Sequence, residues 1–151
     1  MANYIANNFL LFLLDPIDGL TTIEVILCGP TFDGTDEDDF VDDITTLAEI
    51  NATNYGSGWG NRSTLDNVAA TVDDANNRAD LDADDEAFGA LGGATNSEIE
   101  HILLAIKGSS DDTDAKVIGD TDLTGSTLTT NGSTVTVTIA DFFRLGRAPG
   151  S

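Results

Sequence analysis

Leu65-Asp66-Asn67-Val68-Ala69-Ala70-Thr71-Val72 runs into Asp73-Asp74-Ala75-Asn76-Asn77-Arg78 and then into Ala79-Asp80-Leu81-Asp82-Ala83-Asp84. The outer segments alternate small or apolar residues with polar ones, and a polar turn separates them, so the stretch reads as a β-hairpin.

The same grammar recurs on both sides. Upstream, Thr21-Thr22-Ile23-Glu24-Val25-Ile26-Leu27-Cys28 is β-branched and largely apolar and closes on Gly29-Pro30, as strands commonly do. Downstream, Ile99 and Ile102 to Ile106 form a mostly apolar run between Gly92-Gly93 and Gly108, read as a strand buried on both faces. Val117-Ile118-Gly119 is a further strand. In Thr134-Val135-Thr136-Val137-Thr138-Ile139 strict alternation puts Val135, Val137 and Ile139 on one face, after a turn at Asn131-Gly132. Asn51 to Gly60 is rich in Asn and Gly and reads as turns.

Before the first strand, Tyr4, Ile5, Phe9, Leu10 and Leu13 have helical spacing, with Pro16 as a stop, so a short amphipathic helix is expected within residues 1–14. The fold class expected is therefore mainly β: an antiparallel β-sandwich, jelly-roll or immunoglobulin-like, spanning 20–140, with an N-terminal helix and a tail at 141–151. At 151 residues one core is expected, and a chain of that size needs no disulfide or metal to fold.

Twenty-seven acidic residues against six basic ones leave a formal charge of −21. Such a field repels nucleic acid and anionic lipid, so neither is expected as a partner. A solvated surface, divalent-cation sites or a basic partner would each account for the charge. Phe32 to Asp43 alone holds seven carboxylates and is expected at the surface. Leu10 to Leu14 is too short to span a bilayer, which takes about 20 apolar residues. Nor does it resemble a secretory signal, because no Lys or Arg precedes Arg62.

Candidate chemistry is thin, and no enzyme is expected. His101 is the single histidine and Cys28 the single cysteine; a dyad between them requires the fold to bring two strands together and offers no third orienting residue at a recognisable spacing. No phosphate-binding glycine loop and no zinc-type Cys/His pair occurs. Asp80, Asp82 and Asp84 have the alternating spacing of hard oxygen ligands, and on a strand they would share a solvent face open to adventitious Ca2+ or Mg2+, but no cofactor is expected. The stretch fails as an EF-hand loop, because the positions wanting Gly and Glu hold Asp85 and Leu91. Trp59, inside Gly56-Ser57-Gly58-Trp59-Gly60, is either core or rim packing or an anchor for a partner. Phe142 and Phe143, with Arg144, would point to opposite faces of a strand, one inward and one toward a neighbour. Phe9, Leu10, Leu13, Trp59, Phe142, Phe143 and Arg144 are therefore the expected partner surface.

The order of elements resembles a family of small structural proteins of tailed-phage virions. The resemblance lies in the strand Thr22 to Leu27, the Asp-Phe-x-Asp-Asp-Ile element at Asp39 to Ile44 and the turn Asn54-Tyr55-Gly56-Ser57-Gly58. It is strongest in Val72-Asp73-Asp74-Ala75-Asn76-Asn77-Arg78-Ala79-Asp80-Leu81-Asp82-Ala83-Asp84-Asp85 and continues through Ile102 to Ile106 and Val117 to Asp120. At Gly89-Ala90-Leu91-Gly92-Gly93 the chain departs from similar proteins, which carry a polar, aromatic strand ending there. The resemblance implies a virion protein assembled in the host cytoplasm, as capsid decoration or cement or as a tail or fibre component. Its implied partners are the major capsid protein, other virion proteins or further copies of itself, and it transfers no catalytic residue.

Overall fold

The structure is a computed structural model that describes residues 22–73, 78–139 and 143–146, without the side chains of 72, 73, 78, 79, 81 and 143–146. In chain order the strands are β1 (Ile23–Cys28), β2 (Ser63–Thr64), β3 (Ala69–Asp73), β4 (Arg78–Asp82), β5 (Glu86–Leu91), β6 (Glu98–Ile99), β7 (His101–Ile106), β8 (Lys116–Asp122), β9 (Leu128–Thr129), β10 (Ser133–Val137) and β11 (Phe143–Gly146). Only two single 3-10 turns, Val41–Asp43 and Asp112–Asp114, interrupt this pattern among the described residues. Every described strand pairing is antiparallel, so the chain is mainly β, in the class expected for a sandwich. The expected N-terminal helix lies outside the described residues.

Where one domain over 1–151 is expected, the chain gathers into two compact units. One comprises Thr22–Thr64 and Glu86–Val137; the other comprises the described residues of Leu65–Asp85 and of Thr138–Ser151.

The larger unit is built on a four-stranded sheet in the order β2-β1-β7-β8, with separate two-stranded ladders β5-β10 and β6-β9. All six residues of β1 are buried, because the strand is central and covered on both faces. On one face Ile26 and Cys28 pack with Leu103 and Ala105 of β7 and with Val41, Ile44 and Ala115. β7 departs from the expectation of burial on both faces: Leu103 and Ala105 are buried, whereas Ile102, Leu104 and Ile106 are half-buried. β5 occupies the Glu86–Leu91 region and pairs with β10, Phe88 lying opposite Val135. It ends on Gly92 and Gly93, whose positive φ angles of 87° and 93° are readily adopted only without a Cβ.

The smaller unit holds the hairpin read from the sequence. β3 pairs with β4 from Ala69↔Asp82 to Asp73↔Arg78, and β11 adds to the other edge of β4. The turn joining β3 to β4 lies outside the described residues.

Candidate functional site

The residues expected to carry function fall in different places. Of the carboxylates on and after β4, Asp80 is buried at 3% exposure, which corrects the common solvent face expected of Asp80, Asp82 and Asp84. Asp82 is exposed, and its Oδ1 accepts from the Ala83 amide; Asp84 lies past the strand end, where its Oδ2 accepts from Asn67 Nδ2 at 2.6 Å. Among the described residues no three His, Cys, Asp or Glu side chains converge as a metal ion requires. Phe9, Leu10, Leu13 and Phe142 lie outside the described residues. Phe143 and Arg144 fall on β11, in register with Leu81 and Asp80.

Trp59 is 37% exposed. Its indole Nε1 donates to the Gly108 carbonyl at 3.0 Å, and Lys107 Nζ stands 5.4 Å from the ring centroid. The ring is thus held at the rim by one hydrogen bond and a cation–π contact, leaving part of its surface to solvent.

The sheet does bring Cys28 and His101 together: they are direct partners across β1 and β7, and His101 Nδ1 lies 2.9 Å from Asp120 Oδ2 on β8. A thiol, an imidazole and a carboxylate therefore stand in a row across three strands, but the thiol is sealed. Cys28 is fully buried, and its Sγ is 4.0 Å from the Ile26 carbonyl oxygen. Burial, then Glu49 and Asp120, push the thiol up to about 12, against the opposing pull of Arg62. A nucleophilic cysteine needs the reverse, an exposed thiol lowered toward neutrality. The native protein is expected to resist a thiol-modifying reagent at neutral pH and to react once unfolded in denaturant. Rapid stoichiometric labelling of native protein would show that the thiol is accessible after all.

Sequence reading missed the strongest electrostatic feature, which is centred on Arg62. Its Nε and Nη2 donate to the two Glu49 oxygens at 3.0 and 2.9 Å. Its Nη1 and Nη2 donate to the two Asp112 oxygens at 2.6 and 3.0 Å, and Nη1 also donates to Glu24 Oε2 at 3.2 Å. These bonds use the five N–H donors of a guanidinium. The side chain is 1% exposed. Burial disfavours its charge, but the hydrogen bonds it donates to Glu49 and Asp112 outweigh that and raise its proton affinity above the usual arginine value. Lys107 Nζ reaches the other Glu24 oxygen at 3.4 Å. Tyr55 extends the network: its hydroxyl donates to Glu49 Oε1 and accepts from the Leu27 amide. Burial, with Glu49 beside it, holds that phenol well above its ordinary range. The signal for this site was present in β1, where Glu24 interrupts an apolar strand and must find a cation once buried. The charges of Arg62, Glu24, Glu49 and Asp112 are paired within the cluster, which makes it a clamp on the fold.

An open cleft of about 420 Å3 lies in the larger unit between residues 32–44 and strands β7 and β8. Phe32, Ile44, Leu103 and Val117 give it apolar walls, and Asp36, Asp38, Asp39 and Asp120 bring carboxylates. Asp38 is occupied by Thr35, whose amide donates at 2.7 Å, and Asp120 by His101. Phe32 packs against the His101 ring with centroids 4.7 Å apart. Among the described residues no helix is long and apolar enough to cross a membrane.

No protein-family model, curated protein or solved structure matches the chain.

Proposed function

We propose that the protein is a non-enzymatic structural component of a tailed-phage virion, acting as a capsid decoration or cement protein. The observation that carries this reading is the stretch Val72 to Asp85, whose resemblance to such proteins is the most distinctive in the chain and whose strands form the β3-β4 hairpin. The larger antiparallel unit, clamped internally by Arg62, suits a part that must hold its shape under load. Its acidic exterior suits attachment outside a DNA-filled shell, since it repels the nucleic acid. Affinity would come from weak contacts repeated over the lattice. Phe9, Leu10, Leu13, Phe142, Phe143 and Arg144 are the residues this reading assigns to those contacts.

Trp59 favours a second reading, a receptor- or glycan-binding module of a tail fibre, because an aromatic ring fixed at a rim provides a stacking surface. Gold-labelled antibody against the protein, imaged on virions of the phage that encodes it, separates the two. Label over the shell is the expected result. Label at the tail tip transfers the assignment to the fibre reading, and virions free of the protein sink both.

A further inference from the structure

Among the described residues, the edge of the four-stranded sheet beside the cleft is only half covered. Residues 39–41 run along the first part of the outer edge of β8: Val117 N donates to the Asp39 carbonyl at 3.0 Å and Val41 N to the Ala115 carbonyl at 2.9 Å, with a bridge between Phe40 and Lys116. Beyond that, from Ile118 to Asp122, β8 has β7 on one side and no other strand among the described residues. An uncovered strand edge is a row of backbone donors and acceptors ready to accept another strand. Here it continues into the cleft, whose lining includes Ile118, Gly119 and Asp120.

The chemistry of the cleft specifies what kind of strand would fit. Its lining contains no Lys or Arg. Asp36 and Asp39 are exposed, and their carboxylates have no hydrogen-bond or ion-pair partner among the described residues. Apolar walls beneath a carboxylate rim match a segment with an apolar side chain facing the cleft and long cationic side chains that reach its rim. The volume falls within the range of sites that enclose a small ligand or a few side chains.

We propose that the cleft and the free edge of β8 together receive an extended basic segment of a partner protein. The segment pairs its backbone with β8 beyond Val117, lays an apolar side chain between Phe32 and Val117, and sets a Lys or Arg between Asp36 and Asp39. This goes beyond the virion reading and does not depend on it.

The test uses the full chain and a short capped peptide of alternating Val and Lys, followed by isothermal titration at low salt. Saturable one-to-one binding is expected. Asp36→Asn with Asp39→Asn should weaken it by about tenfold, whereas Asp66→Asn with Asp82→Asn, which removes the same charge elsewhere, should leave it unchanged. The same peptide with alternate backbone amides N-methylated keeps its charge but loses strand donors, and it should fail to bind. Equal affinity for the N-methylated peptide would overturn strand addition. Equal weakening by both pairs of substitutions, or no binding at all, would overturn the site.

Discussion

Replacing Arg62 with Ala is expected to lower the stability of the larger unit by about 3–5 kcal/mol, the cost typical of breaking a buried ion pair from one side. For a chain of this size that corresponds to a fall in Tm of about 10 °C. The size of the effect comes from what remains. Glu24 has no exposed surface, and Glu49 is only 11% exposed at its side chain. Without the guanidinium, Glu24 keeps only Lys107, at 3.4 Å, while Glu49 and Asp112 lose their bidentate partner. Lys at position 62 restores charge but not the fork, so Arg62→Lys should recover a minority of the loss. The deciding measurement is urea unfolding of Arg62→Ala with and without Glu24→Gln. Burying a neutral amide costs less than burying a carboxylate, so the second substitution should restore part of the stability. If Glu24→Gln adds its own loss instead, the uncompensated charge is not the cause.

The second large effect is expected at Ile26. Truncation to Ala removes a side chain with no exposed surface from the cluster of Cys28, Val41, Ile44, Leu103, Ala105 and Ala115. A loss of about 2–5 kcal/mol follows from lost transfer energy plus the cavity left behind. The cluster also underlies the cleft, since Ile44 and Leu103 belong to both. Ile26→Ala should therefore reduce stability and hasten Cys28 labelling together, because the void adjoins the thiol. Unchanged labelling in a destabilised variant would mean that the neighbouring side chains collapse into the void.

The hairpin was legible because its signal is local: alternating residues on both sides of a polar sequence lie within one stretch, and they pair from Ala69↔Asp82 to Asp73↔Arg78. β1, β7, β8 and β10 were legible from β-branched or apolar runs. β5 was not, since Gly89 and Ala90 weaken its strand character and its pairing with β10 supplies what propensity lacks. Asp80 on a hydrophilic strand reads as solvent-facing, yet burial is decided by what packs over a strand, which its own spacing does not reveal. The cleft was invisible for a different reason: Asp36 and Asp120 are far apart in sequence and meet only through the antiparallel order β1-β7-β8. Arg62 had no motif, and only the oddity of Glu24 within β1 pointed toward it.

The pairing of β1 with β7, from Ile23↔Ile106 to Cys28↔His101, also dictates a timetable. During synthesis β1 emerges long before its partner, so Ile23-Glu24-Val25-Ile26-Leu27 waits as an unpaired apolar strand, the kind of segment that seeds aggregation. The seven carboxylates between Asp33 and Asp43 emerge directly behind it. Charge flanking such a strand disfavours its association with other chains, and β1 carries that flank directly on its C-terminal side.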